Sequence, residues 1–291
     1  MLLICGTIPI ANFPLTMGAV AFAGDELFIN EQKIPCTQGT AALVSAACVV
    51  ADYCQIAPPH VLLAGDIGNG QGSRAIYDYL KKNIGRLSPN ILLMHYILPV
   101  MGLMKKVVAA AEKCAEKPVL IADASSMYAA KAAGLAPRFD IFTPDLSEMA
   151  FLADPDAVHP AYISRHLFNS EILQVPELIA AACQNKNAPR LLIIKGAVDH
   201  IVEDGRVIAT IREPDIPALE AIGGTGDTIS GMISALIDAG VTASEAAITA
   251  TKANRLAGQI ISAKPATKIR EIIAALPMAL KNILKKEKKN D

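Results

Sequence analysis

The sequence predicts an α/β fold in which a mostly parallel sheet is covered by helices on both faces and carries an antiparallel hairpin at one edge. Three observations predict it. The chain of 291 residues is 52% hydrophobic and lacks Trp, and its mean hydropathy is positive, as suits strands buried on both faces. Short continuous apolar runs alternate with stretches of helical period. No internal repeat or low-complexity linker interrupts the alternation, so one domain over residues 1–291 is expected.

The elements follow in order. Residues 1–24 carry no charged side chain. Pro9, Asn12, Pro14, Thr16 and Gly18 interrupt this apolar stretch too often for a spanning helix, and no basic segment precedes it. It reads as an opening strand and a buried loop rather than an export signal. Thr40 is placed to cap a helix over 41–53. A strand over 61–65 leads through a Gly-rich turn to a helix over 73–82. Strand and helix then alternate: 91–94 and 101–116, 118–122 and 126–133, then a strand over 139–142. Helices over 146–152 and 176–184 precede a strand over 190–194. Asp204-Gly205, between His200-Ile201-Val202 and Arg206-Val207-Ile208, signals a two-residue hairpin and hence an antiparallel edge. The last third reads as three helices, over 228–239, 243–262 and 269–284. Strands separated by helices imply right-handed crossovers, with ligands at the carboxyl ends of the strands.

Composition narrows the function. The formal net charge is −1, and the lysines gather only in the tail at Lys281, Lys285, Lys286, Lys288 and Lys289, a solvated helix end rather than a nucleic-acid stripe. Six cysteines form no Cys-x-x-Cys pair, and five histidines show no metal-site spacing. A reducing cytoplasm without structural zinc is expected. The expected partner is a small molecule with a hydroxyl group, not nucleic acid or membrane. Homo-oligomerisation stands only as a general expectation.

Gly223-Gly224-Thr225-Gly226-Asp227 leads straight into an apolar-periodic helix. Glycines there let backbone N–H groups converge on an anion, and the helix N-terminus adds partial positive charge. Asp227 opposes phosphate by its own charge, yet as a general base it can take the proton from a hydroxyl that attacks phosphorus. The other reading is that Asp227 only caps the helix. Asp145 and Glu148 follow a strand and can hold Mg²⁺ through water, or form only an Asp-x-x-Glu capping box. Lys195 closes a buried strand before Gly196, where its ammonium can reach nucleotide phosphates or ribose; an ordinary strand-end lysine is the alternative. A second Gly-rich loop over 65–74 has neither the P-loop ending nor the dinucleotide spacing. His95-Tyr96, and His159-Pro160-Ala161-Tyr162 with Arg165 and His166, stand at other loop positions, where lone histidines are more often structural.

Gly224-Thr225-Gly226-Asp227 resembles the Gly-x-Gly-Asp signature of the ribokinase-like superfamily. The Gly-Gly-Thr-Gly-Asp form with Ser230-Gly231 is most similar to its NAD(P)H-hydrate dehydratase branch. Residues 191–197 resemble the superfamily's strand-Lys-Gly segment, and Thr143-Pro144-Asp145-Leu146-Ser147-Glu148 its Thr-Pro-His-x-Gly-Glu segment, in the same order. The resemblance covers about 119–259. It implies a three-layer α/β/α fold and an enzyme using ATP or ADP with Mg²⁺, K⁺ being left open. Asp227 is then the base, Gly223, Gly224, Thr225 and Gly226 the phosphate nest, Lys195 and Gly196 nucleotide contacts, and Asp145 and Glu148 the metal contacts. Gly68, Gly70, Gly72 and Arg74 become a substrate-side loop, for which a purely structural turn is the alternative. Asp123 becomes a substrate contact, in a segment where Ser125 replaces the branch's second Asp. The implied reaction is dehydration of hydrated NAD(P)H. A kinase for a sugar or a vitamin-precursor alcohol is the first alternative, and a non-catalytic nucleotide sensor the second.

Overall fold

The computed structural model of the chain describes residues 1–158 and 175–287. The segment holding His159, Tyr162, Arg165 and His166 lies outside them. The first elements are β1 (Leu2–Ile8), β2 (Thr16–Ala19), β3 (Ala21–Ala23), β4 (Glu26–Ile29), β5 (Gln32–Pro35) and α1 (Thr40–Cys54). Next come β6 (His60–Gly65), α2 (Gln71–Leu87), β7 (Ile91–His95), α3 (Met101–Ala111), β8 (Val119–Asp123) and α4 (Ser125–Ala132). They are followed by β9 (Ile141–Phe142), α5 (Leu146–Ala153), α6 (Val175–Gln184), β10 (Leu191–Ile194), β11 (Asp199–Glu203) and β12 (Arg206–Ile211). Three helices end the described chain: α7 (Thr225–Asp238), α8 (Ala243–Ile260) and α9 (Ile269–Glu287).

A nine-stranded sheet in the order β12-β11-β10-β9-β8-β7-β1-β6-β2 forms the middle layer. The six strands from β10 to β6 run parallel, while β11, β12 and β2 pair antiparallel at the two edges. The period-two alternation of side chains sends successive residues into opposite cores. Ile4, Leu93, Ile121 and Ile193 pack beneath α1, α7, α8 and α9, whereas Leu3, Leu92, Leu120 and Leu192 pack beneath α2 to α6. The fold is therefore the three-layer α/β/α arrangement expected, with a mostly parallel sheet. At the hairpin, Asp204 and Gly205 both have positive φ, 49° and 75°, as a two-residue turn matched to the strand twist requires.

The amino-terminal region departs from the expectation. The expected loop within residues 1–24 contains β2, at the second sheet edge, and β3, which pairs with β4 and β5 beyond it in a separate antiparallel sheet, β3-β4-β5. Its strands have three or four residues, too few for a period to declare itself. Leu27, Ile29 and Ile34 are buried in the same core as α1. Thr40 also differs from its expected role as a cap. Gly39, with φ 72°, is the N-cap residue of α1 and no side chain caps that helix; the Thr40 hydroxyl is engaged by His95 instead.

Helices α1 and α7 touch through Gly231, where a Cβ would fall 2.1 Å from the Leu43 carbonyl oxygen. This close approach sets the start of α1 against the start of α7, over the carboxyl end of β7. Among the described residues, no helix is long and apolar enough to cross a membrane.

Candidate active site

The start of α7 opens on a cleft of about 610 Å³ lined by Gly224, Thr225, Gly226 and Asp227 and by residues from the carboxyl ends of β8 and β10. Gly224 is the N-cap with φ 103°, and no side chain caps the helix. The first turn of a 14-residue helix so exposed is suited to anions. Gly223 has another duty. Its Cβ would stand 2.2 Å from the Gln38 side-chain oxygen, so it admits the segment before α1 and does not line the cleft.

Asp227 is tied on both oxygens. Its Oδ2 accepts the Gly39 N–H at 2.8 Å, and its Oδ1 lies 3.0 Å from His95 Nε2. His95 is fully buried, and its Nδ1 lies 2.9 Å from the Thr40 hydroxyl. An ionised carboxylate only accepts, so Nε2 carries the proton of that bond, and the Thr40 hydroxyl, able to donate or accept, meets Nδ1 on the other side of the ring. Burial opposes ionisation of Asp227, but the hydrogen bond and charge of His95, the charge of Lys195 and the Gly39 N–H outweigh it. The carboxyl is held below its ordinary value.

Asp123 sits at the end of β8, almost wholly buried. It receives the Lys195 ammonium at 3.0 and 3.3 Å and the Ser230 hydroxyl at 2.6 Å. Ser230 in turn meets the Thr143 hydroxyl at 2.8 Å. Burial works against the charge of Lys195, but Asp123, Glu148 and Asp227 prevail and raise the pKa of its ammonium. The aliphatic end of Lys195 lies against Gly226, with its Nζ 3.5 Å from where a Cβ would be. The lysine thus bridges Asp123 to the start of α7.

The Asp145–Glu148 capping box forms in full. Asp145 accepts the Glu148 N–H at 2.7 Å, and Glu148 accepts the Asp145 N–H at 2.9 Å. Both residues also line the cleft, so capping does not preclude a second use. Glu148 additionally accepts the Tyr128 hydroxyl at 2.9 Å. Burial, opposed by Lys195 and reinforced by Asp123 and Asp145, pushes its carboxyl up to about 7.

Gly196 lines the cleft beside Lys195, and its N–H is taken by Asp199 at 3.0 Å. Arg255 of α8 pairs with Asp199 at 2.7 Å and donates to the carbonyls of Gly196 and Ala197. Sequence reasoning misses Arg255 and reads the lone His95 as more often structural. For Arg255 no signal existed: it falls on the helix face opposite the Ala246, Ala250, Ala253 and Ala257 stripe, where a charged side chain is ordinary.

The second Gly-rich loop is elsewhere. Asp66 accepts the N–H groups of Gly68, Gly70 and Ser73 and the Ser73 hydroxyl, which folds the loop around one carboxylate. Gly72 permits helix α2 to approach β6, since its Cβ would lie 2.3 Å from the Gly65 carbonyl oxygen. Arg74 donates to the Asn69 carbonyl at 3.3 Å. Gly68, Gly70, Gly72 and Arg74 are absent from the walls of the Asp227 cleft; Gly72 instead lines a smaller one of about 270 Å³.

Comparison with known proteins bears on the family and the fold. An uncharacterized protein of Methanocaldococcus jannaschii is 38% identical over 243 residues, 84% of this chain and all of that one. The ADP/ATP-dependent NAD(P)H-hydrate dehydratase of Bacillus subtilis, co-crystallized with ATP/Mg²⁺, superposes with a TM-score of 0.54 at 16% identity, covering 97% of this chain and 90% of that one. The pyridoxal kinase of Entamoeba histolytica superposes with a TM-score of 0.52 at 15% identity, covering 94% and 95%. These two likenesses show the ribokinase-like fold. Residues 98–278, more than half of the chain and the stretch holding Asp123, Lys195 and Asp227, match the carbohydrate kinase family described as NAD(P)H-hydrate dehydratase, and the chain belongs to that family.

Proposed function

We propose that the chain is an ATP- or ADP-dependent NAD(P)H-hydrate dehydratase with Asp227 as its general base. The observation that carries this is the Asp227 carboxylate, held by the Gly39 N–H and His95 at the first, uncapped turn of α7, inside the cleft. Such a group has one clear use beside an anion site: it removes the proton of a substrate hydroxyl as that oxygen attacks the terminal phosphorus of the nucleotide. The α7 N–H groups and Lys195 then meet the charge that builds on the transferred phosphoryl group. Phosphate afterwards leaves with the electrons of the C–O bond, the ring nitrogen supplies electrons, and a proton lost from the adjacent carbon restores the double bond. Carboxylates suit a hard cation, so Asp145 and Glu148 would hold Mg²⁺ through water; when bound, it neutralises phosphate charge.

A kinase that stops at the phosphorylated alcohol is the second reading. It is favoured by Ser125, whose hydroxyl donates to the Ile97 carbonyl at 3.0 Å where the dehydratase pattern has an acid. The two part in one assay. Protein is incubated with hydrated NADH and ADP or ATP, and recovery of reduced-nicotinamide absorbance is followed. The expected result is recovery by wild type and a loss of at least about 10²-fold in Asp227→Asn, the scale of general-base catalysis. No recovery, with ATP consumed on addition of a sugar or hydroxymethylpyrimidine alcohol, would establish the kinase instead.

A further inference from the structure

Tyr96 follows β7 and lines the cleft beside Asp123, Ala124 and Asp227. It is the one aromatic among the described residues that line the cleft, and its 47% exposure contrasts with the buried His95 and Ile97 on either side. Its φ is +49°, in a region that bulky L-residues rarely adopt and that marks functional sites more often than chance. The surroundings hold it there. The Thr7 hydroxyl donates to its carbonyl at 2.5 Å, its ring stands edge-on to His95 at 4.4 Å between centroids, and a Cβ on Gly39 would lie 3.6 Å from the ring. A side chain fixed in an unfavourable backbone conformation, yet left largely bare, presents a preorganised surface to a ligand.

Topology says which ligand. The cleft runs along the carboxyl ends of the sheet from β7 and β8, where Tyr96 and Asp123 stand, toward Gly196, Ile216 and Leu219 beyond β10 and β12. Asp227 and Gly226 lie between. With the nucleotide against Lys195 and Gly196, the β7 end is left for the molecule whose hydroxyl Asp227 deprotonates. A flat aromatic wall favours a flat conjugated segment by stacking, and it offers a sugar few of the hydrogen bonds its hydroxyls need.

We propose that Tyr96 is a specificity-determining residue, the stacking wall for the flat conjugated part (ring nitrogen, C=C bond and carboxamide) of a ring whose tetrahedral carbon carries the reactive hydroxyl. This deepens the dehydratase reading and rests on it for the position of the acceptor. The tests use the full chain. Because the sequence has no Trp, Tyr96→Trp makes indole emission a report from position 96 alone. The probe is hydrated reduced nicotinamide mononucleotide, which has the ring without adenine. A saturable emission change with this probe and none with ribose or fructose is expected. By calorimetry, Tyr96→Phe should bind the probe within about three-fold of wild type, and Tyr96→Leu and Tyr96→Gly roughly ten-fold more weakly, the scale of losing one stacking partner. ADP affinity should be unchanged in all, which also reports a folded protein, and glycine accepts the positive φ without strain.

Undiminished probe binding by Tyr96→Leu and Tyr96→Gly overturns the stacking role even if wild type dehydrates the hydrate. Probe binding that depends on Tyr96, without dehydration in any assay, supports the ring wall and overturns the dehydratase reading alone. An emission change with ribose equal to that with the probe overturns the selectivity.

Discussion

At the scale of single residues, the chemistry rests on how Asp227 is kept both ionised and aimed. Its two oxygens face a backbone N–H and an imidazole, leaving lone pairs free toward the cleft. His95 acts through Asp227, so it is a positioning residue whose removal has a characteristic signature. An acid whose folded pKa is depressed contributes stability above its unfolded pKa and loses it as pH falls through the folded value. The same titration removes the base form, so with saturating Mg²⁺, which favours ionised Glu148, the acid limb set by Asp227 should lie below the ordinary carboxylate range. His95→Leu deletes the donor and leaves burial unopposed by it. The acid limb of kcat/KM should move to higher pH and kcat should fall by up to about 10²-fold, while His95→Gln, which keeps an N–H donor, recovers part of both. A pH–rate profile of the three proteins decides the matter, and an unmoved acid limb in His95→Leu would remove His95 from the mechanism.

At the scale of elements, the site depends on how closely α7 can lie against α1. Gly231 has no room for a methyl group, since the Leu43 carbonyl lies where its Cβ would be. The motif that looks like a phosphate signature therefore ends in a packing residue, and the two uses are separable. Gly231→Ala must push the helices apart, and Gly39 leads one helix while Asp227 belongs to the first turn of the other. Overpacking of this kind destabilises by about 1–3 kcal/mol. Denaturant titration should show that loss, accompanied by weaker activity at temperatures where the variant is fully folded, because the Gly39–Asp227 hydrogen bond lengthens. Gly85→Ala is the control: it also sits in a helix, and no atom within 4 Å would meet the added methyl. Equal behaviour of the two variants would show that the contact is slack.

At the scale of the molecule, the legible parts of the sequence were those with a local cause. The parallel strands were readable as continuous apolar runs, with β6, β7, β8 and β9 each feeding a helix, and the hairpin because Asp204-Gly205 is a turn by its own chemistry. The motif glycines and Asp227 stood together in sequence. Strands β2 to β5 were not readable, because strands of three or four residues are fixed by what they pack on. Nor was the use of Thr40 or His95, since Thr40 meets His95 and His95 meets Asp227 only when α1, β7 and α7 converge from positions far apart in the chain. That convergence has a measurable consequence. Cleft residues come from β8, β10, α5, α7 and α8, so a nucleotide bound there contacts both helical layers and should stabilise the fold as a unit. A ligand at 100 times its Kd adds about 2.7 kcal/mol. For a chain of this size that corresponds to a rise in Tm of roughly 4–8 °C. Thermal unfolding with ATP or ADP and Mg²⁺ should show this rise as one shifted transition, retained in Asp227→Asn because the base is not needed for nucleotide binding. Lys195→Met should lose most of it, since it removes the ammonium beside Gly226. A Tm indifferent to both nucleotides at millimolar concentration would place the phosphate site somewhere other than the start of α7.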